Sequence, residues 1–202
     1  MTFLVETADD EKRYARLAHL TEPGEVRQEL VELSGVLGRR TADIVTERFG
    51  RSRHVLCVIV LRGGALMYPG FVAAFPTADF CVLGMRRAAD RDAVHHEYMT
   101  AVPRDAYEVT VYIDCISATG GTLLAVREVI AAHCATGHEV AAVVSGAAAG
   151  TDVLRQAGIN VVGFSLYEDL DGPVVLPDMG ALDAGDLFSG VAPYPPGDGS
   201  PR

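Results

Sequence analysis

The residues "HVLCVIVL", 54–61, are apolar and largely β-branched without a break, with charges at both borders. A strand with one wet face alternates apolar and polar positions, whereas a continuous run reads as a strand covered on both faces. The pattern recurs in "FCVLGM" (80–85), "EVTVYIDCI" (108–116), "EVAAVVSGA" (139–147) and "INVVGFSL" (159–166). Elsewhere the spacing changes to three and four. "EVRQELVELSGVLGRRTADIVTERF" has that spacing behind Thr21 and Pro23, which predicts one long helix from about 23 to 49. "GTLLAVREVIAAHC" (121–134) and "AGTDVLRQAG" (149–158) predict two more helices, and "ALMYPGFVAAF" predicts a helix interrupted or bent at Pro69.

Strands alternating with helices imply parallel βαβ units, hence an α/β fold: a single doubly wound, mainly parallel sheet with helices on both faces. The stretch "MRRAADRDAVHHEYMTAVPRD" is charged and poor in core residues, so it reads as a flap or extended hairpin, about 86–107. The expected organisation is an N-terminal arm over 1–20, one domain over 21–192, and a disordered tail over 193–202. Ligands of such sheets lie outside the carboxyl ends of the strands. That rule directs attention to three strand exits, "LRGGA", "DCISATGGT" and "SGAAAG".

Composition narrows the classes. No segment is apolar for the roughly 18 residues that a membrane span needs, and the first residues, "MTFLVETADDEKRY", carry acids where a secretory signal carries basic residues and an apolar run. A soluble, cytoplasmic protein is expected. Cys57, Cys81, Cys115 and Cys134 form no CxxC pair, and three of them sit inside apolar runs, which fits buried reduced thiols better than zinc or disulfides. A formal charge of −10 speaks against a nucleic-acid surface. Lys12 is the only lysine; the other sixteen basic residues are arginines, whose planar donor fork suits anionic ligands.

The candidate chemistry concentrates in "VYIDCISATGGTL", 111–123, where a strand ends in an acid and a small, hydroxylated loop opens a helix. Backbone N–H groups at a helix N-terminus make an anion cradle. Gly120 and Gly121 permit close backbone approach, and Ser117, Thr119 and Thr122 can donate to phosphate oxygens. The loop has no lysine, so it is not a Walker loop, nor does it fit GxGxxG. A monophosphate carried on a sugar fits better, with Asp114 accepting from ribose hydroxyls. The alternative is a tight βα turn in which Ser or Thr merely caps the helix.

The same stretch resembles the phosphoribosyl-pyrophosphate (PRPP) loop of type I phosphoribosyltransferases, and most nearly the uracil phosphoribosyltransferase version, Asp-Pro-Met-Leu-Ala-Thr-Gly-Gly-Thr, with Cys115 where many type I relatives carry a second acid. Other landmarks follow in order over about residues 15–190. "VIVLRGGALM" resembles that family's pyrophosphate loop. "LGMRRAADRDAVHHEYMTAVP" resembles its flap, with Gly84, Arg87, Tyr98 and Pro103 in the family's places and one extra residue between Arg87 and Tyr98. "VVLPDMGALDAGDLFSG" resembles its uracil-recognition segment, although Val174 stands where the family has Tyr, Ala181 and Leu182 are inserted, and Leu187 replaces an Arg. "EVRQELVELSGVLG" is similar to the family's N-terminal helix.

The resemblance implies an enzyme that transfers ribose 5-phosphate from PRPP to a ring nitrogen of uracil or a related heterocycle, with release of pyrophosphate. It implies PRPP binding by Arg62, Gly63, Arg86, Arg87, Asp114, Ser117, Ala118, Thr119, Gly120, Gly121, Thr122 and Asp183, and base binding by Val175, Gly180, Leu182, Asp183 and Ala184. Arg62, Arg87 and Asp183 are the catalytic candidates. Mg²⁺ is expected to arrive bound mainly through PRPP rather than on protein ligands, and a homodimer or higher homo-oligomer is expected. Two other readings share the fold: a regulatory or inactive protein that binds PRPP or a nucleotide, and an enzyme for a different ribosyl phosphate. The plainer alternatives are that Arg62 is an ordinary surface residue, that Arg86 and Arg87 belong to a solvated charged flap, and that Asp183 and Asp186 cap a turn. His95 and His96 tempt a metal reading, but adjacent residues on an extended strand point to opposite faces. Met67, Tyr68 and Phe71 read as packing against the sheet.

Overall fold

The computed structural model of the chain describes residues 1–4, 8–17, 20, 22–51, 54–87, 94–167, 185 and 188. In chain order these form β1 (Thr2–Leu4), α1 (Ala8–Leu17), α2 (Pro23–Phe49), β2 (Val55–Leu61), a short 3-10 turn (Gly63–Met67), α3 (Tyr68–Ala74), β3 (Asp79–Arg87), β4 (Val94–Met99), β5 (Ala106–Ser117), α4 (Gly121–Ala131), β6 (Ala135–Ala147), α5 (Ala148–Gln156) and β7 (Asn160–Tyr167).

Helix α2 runs over the span that its periodicity predicts. Pro23 sits in its first turn, where a missing N–H costs nothing, and the chain leaves through Gly50 at φ 80°, whose N–H bonds to the Thr46 carbonyl. Its stripe of Val26, Leu30, Leu33, Leu37 and Ile44 is almost wholly buried against the sheet, and each large side chain so removed from water stabilises by about 1.5–3 kcal/mol. Pro69 does not bend a helix. It lies in the first turn of α3, after the 3-10 turn has ended, because a proline fits a helix start better than its middle.

One seven-stranded sheet has the order β1-β7-β6-β5-β2-β3-β4. Its pairings are parallel except β3 with β4, an antiparallel hairpin with an irregularity between Gly84 and Met85. Alternate residues of the central strands face opposite layers. Cys57, Ile59, Val111, Ile113, Ala142 and Val144 pack towards α1, α2 and α3, while Leu56, Val58, Tyr112, Ala141 and Val143 pack with Leu123, Val126 and Leu154 of α4 and α5. This is the doubly wound α/β arrangement expected from the unbroken apolar runs. The sequence pattern did not reveal β1, three residues that pair with β7 through Phe3 opposite Val162, or α1, whose Tyr14 ring stacks on Phe164 at 5.9 Å.

The topology locates the site. From β2 the sheet grows outward to β3 and β4 on one side, and from β5 to β6 and β7 on the other. The winding direction therefore reverses between β2 and β5, and the crevice beyond their carboxyl ends is the place where such sheets bind ligands.

Candidate active site

Two loops meet at that reversal. Strand β2 ends at Leu61 and turns through a cis Leu61–Arg62 peptide into the 3-10 segment. Gly64 there lies so close to β5 that a Cβ would collide with the Ile113 carbonyl. Strand β5 continues past β2, since their last paired residues are Ile59 and Ile113 whereas β5 reaches Ser117. The Arg62–Gly64 turn thus lies along the part of β5 that β2 leaves uncovered. Cys115 is fully buried, and its thiol donates to the Gly63 carbonyl at 3.2 Å.

At the β5 exit, Asp114 is half-buried and its Oδ1 accepts the Cys115 N–H at 2.7 Å. Ser117 is buried, Thr119 is exposed, and Gly120 takes a left-handed conformation at φ 76° as the N-cap of α4. The N-cap makes no side-chain hydrogen bond. The Thr119 hydroxyl approaches the helix start, accepting from the Gly121 N–H at a long 3.4 Å. The N-terminus of α4, where an anion is favoured, stands at the β5 exit. A third element closes the cradle: Gly150 of α5 packs on the Ala118 carbonyl, and a Cβ on Gly120 would meet the Gly150 carbonyl at 2.9 Å. The buried hydroxyls of Ser117 and Thr151 flank this contact in sequence, and neither has a hydrogen-bond partner among the described residues.

Helix α4 is fixed from behind. Arg127 reaches Glu139 of β6 twice, Nε to Oε1 at 3.0 Å and Nη2 to Oε2 at 2.8 Å, and the Tyr112 hydroxyl donates to the same Oε1 at 2.7 Å. Burial, followed by the bond to Glu139, pushes the Tyr112 phenol well above its ordinary range, and the bond to Glu139 raises Arg127 further. Tyr112, Arg127, Glu139 and Thr151 were not among the sequence candidates, and Gly150 entered only as the end of the strand exit "SGAAAG".

Of the sequence candidates, the structure brings Arg62, Gly63, Asp114 and the 117–122 loop to the two neighbouring exits. Arg86 lies farther out on the β3–β4 hairpin, where Nη1 is 3.2 Å from Glu97 Oε1 across the strands. Arg87 ends β3, its backbone paired with Val94. His95 and His96 are adjacent and exposed on β4, and no group of three or more His, Cys, Asp or Glu residues converges among the described residues. Met67 and Phe71 are fully buried; Tyr68 is 43% exposed and meets Phe80 edge-on at 5.5 Å. All four cysteines are free and buried. Val175, Gly180, Leu182, Asp183 and Ala184 lie outside the described residues.

Comparison with known proteins decides what these loops belong to. The family model for uracil phosphoribosyltransferase matches residues 25–185. The chain belongs to the uracil phosphoribosyltransferase family. It is 34% identical over 176 residues to a uracil phosphoribosyltransferase of Streptomyces coelicolor, covering 83% of this chain and 78% of that protein. It is 28% identical over 162 residues to one of Methanothermobacter thermautotrophicus, covering 79% and 72%. Among solved structures, the AQ2163 protein from Aquifex aeolicus superposes with a TM-score of 0.77 at 19% identity, covering 96% of this chain and 100% of that one. A hypoxanthine phosphoribosyltransferase from Staphylococcus aureus shares the fold at a TM-score of 0.50 and 14% identity, over 69% of this chain and 75% of that one. As a uracil phosphoribosyltransferase family member, the chain is a pentosyltransferase, and its chemistry is phosphoribosyl transfer from PRPP.

Proposed function

We propose that the chain transfers ribose 5-phosphate from PRPP to a ring nitrogen of uracil or a closely related pyrimidine or small heterocycle, releasing pyrophosphate. The observation that carries this reading is the adjacency of two loops at the sheet's reversal. One sets the N-terminus of α4 beside the Asp114 carboxylate, and the other carries Arg62. Such a pair matches a ligand with a monophosphate at one end, hydroxyls in the middle and a diphosphate at the other.

In this reading the 117–122 loop takes the 5-phosphate, Asp114 accepts from the ribose hydroxyls, and Arg62 with the Gly63 backbone faces the diphosphate. The ring nitrogen forms its bond to the anomeric carbon as the carbon–oxygen bond to pyrophosphate breaks, the electron pair leaving with the phosphate and the nitrogen's proton passing to solvent. Charge accumulates on the leaving oxygen, so pre-placed cations supply much of the rate. Arg87 and Arg86 join Arg62 when the hairpin closes, which also excludes water. Asp183 completes the ribose side, and the backbone at Val175, Gly180, Leu182 and Ala184 reads the base.

With Asp114 as the carboxylate at the cradle and no larger acidic cluster among the described residues, the lining would suit a Mg²⁺ ion carried in by PRPP, and Asp114 is the carboxylate that would face it. The ion, when bound, offsets the charge on the departing pyrophosphate.

Ala181 and Leu182 lengthen the base segment, and hydrogen bonds tolerate displacements of only tenths of an ångström. Base identity is therefore the part to test. Pyrophosphate release from Mg²⁺–PRPP should be measured against uracil, cytosine, other pyrimidines and small heterocycles, with the nucleotide product weighed by mass spectrometry. Release with one compound, and a product heavier than it by a ribosyl phosphate, supports the reading and names the base. Binding of PRPP without release across the panel overturns it in favour of a regulatory binding protein.

A further inference from the structure

Strand β5 outruns β2. After Ile113, the last residue paired with β2, the stretch from Asp114 to Ser117 continues its pairing with β6. Along this stretch the Arg62–Gly64 turn lies beside β5, and one side chain joins the two loops. Cys115 is 0% exposed, its backbone N–H goes to Asp114 Oδ1 at 2.7 Å, and its thiol goes to the Gly63 carbonyl at 3.2 Å. A single residue therefore orients the carboxylate of one loop and tethers the backbone of the other. Gly64 seats on the Ile113 carbonyl just beside it, so the turn approaches β5 through backbone contact and through the Cys115 thiol.

We propose that Cys115 is a positioning residue: through its thiol it sets the distance of the Arg62–Gly63 turn from the Asp114 carboxylate, and so the spacing between the pyrophosphate and ribose-phosphate halves of the site. The inference rests on the functional reading above and assigns to this chain's own cysteine a part that the reading does not need. The two contacts separate cleanly. Replacing the side chain removes the bond to Gly63, while the N–H to Asp114 stays.

The test is calorimetric titration of the full chain, in Mg²⁺, with pyrophosphate and separately with ribose 5-phosphate. Cys115→Ala should weaken pyrophosphate binding by about threefold to fivefold, the lower part of what one net hydrogen bond contributes because a thiol is a weak donor, and leave ribose 5-phosphate within about twofold. Cys115→Val, which refills the space without a donor, should show the same selective loss and decides the matter if the alanine variant fails to fold. Cys115→Ser, which restores a donor, should recover most of the lost affinity. A general packing defect does not produce this pattern. Unchanged pyrophosphate affinity in both donorless variants, an equal loss for both ligands, or a loss that serine does not recover would overturn the proposal. If the unsubstituted chain binds neither ligand, the functional reading falls and takes this inference with it; if it binds both and the variants do likewise, only the inference falls.

Discussion

Ser117→Ala should make the free protein more stable and the PRPP-bound protein less so. The residue is 4% exposed at the β5 exit, and its hydroxyl lacks a hydrogen-bond partner among the described residues. An orphaned buried hydroxyl costs about 1–3 kcal/mol. Removing one oxygen-sized group from a packed site returns less than about 1 kcal/mol of that as lost contact. The free variant should therefore gain about 1 kcal/mol, which for a domain of this size raises Tm by about 2–4 °C. The opposite sign applies once the loop tightens on the substrate's phosphate. A hydrogen bond to a charged acceptor contributes about 1.5–3 kcal/mol, so the variant should bind PRPP roughly tenfold to a hundredfold more weakly. Ligand stabilisation follows the ratio of ligand concentration to Kd, so the rise in Tm on adding a fixed excess of PRPP should shrink by the same free energy. Thermal unfolding with and without Mg²⁺–PRPP reads both effects in one experiment. A free variant that melts lower than the parent, or one that keeps the full PRPP shift, refutes the assignment of Ser117 to the phosphate.

Gly150→Ala places a methyl group against the Ala118 carbonyl and the Gly120 N–H, moving the cradle. Overpacking of this kind costs about 1–3 kcal/mol, and thermal unfolding should show it together with a raised KM for PRPP. Arg62→Ala should lower kcat by about a hundredfold or more, the usual effect of losing one charge-stabilising contact in a transition state; steady-state pyrophosphate release measures it. Stability should decline as pH rises beyond about 9. Burial raises the Cys57, Cys81 and Cys134 thiols above their ordinary 9.0, and burial also raises the Tyr107 and Tyr112 phenols above 10.0. In each case the unfolded chain loses its proton first, so rising pH favours unfolding. Denaturant titrations at pH 8, 9 and 10 test the sign, and Tyr112→Phe should lessen the fall above pH 10.

The elements readable in the sequence were those whose burial is one-dimensional. β2, β5 and β6 are covered on both faces by helices, so their apolar runs needed no partner to be recognised, and α2 carries its whole core stripe within one segment. Elements defined by partners elsewhere were hidden. β1 exists because Thr2 to Leu4 find β7 more than 150 residues away, and no local pattern in three residues announces that. α1 is charged and is held by Tyr14 on Phe164 and by Arg16 facing the buried Glu29 at 3.6 Å. The same division runs through the site. The glycines and hydroxyls of the 117–122 loop were legible because phosphate chemistry demands them close together in sequence. The Cys115 thiol on Gly63, Gly150 against Ala118, and Arg127 on Glu139 join segments 12 to 52 residues apart, so only the folded chain brings them into contact.

The central claim is that the β5 exit handles the ribose phosphate of PRPP for transfer to a base. The most direct measurement is pyrophosphate release from Mg²⁺–PRPP, with and without uracil, by the unsubstituted chain and by Asp114→Asn, a change that keeps the shape and removes the charge. The account predicts release that depends on the added base and falls at least a hundredfold in the variant, with Tm unchanged within a few degrees. Full turnover by Asp114→Asn would contradict it.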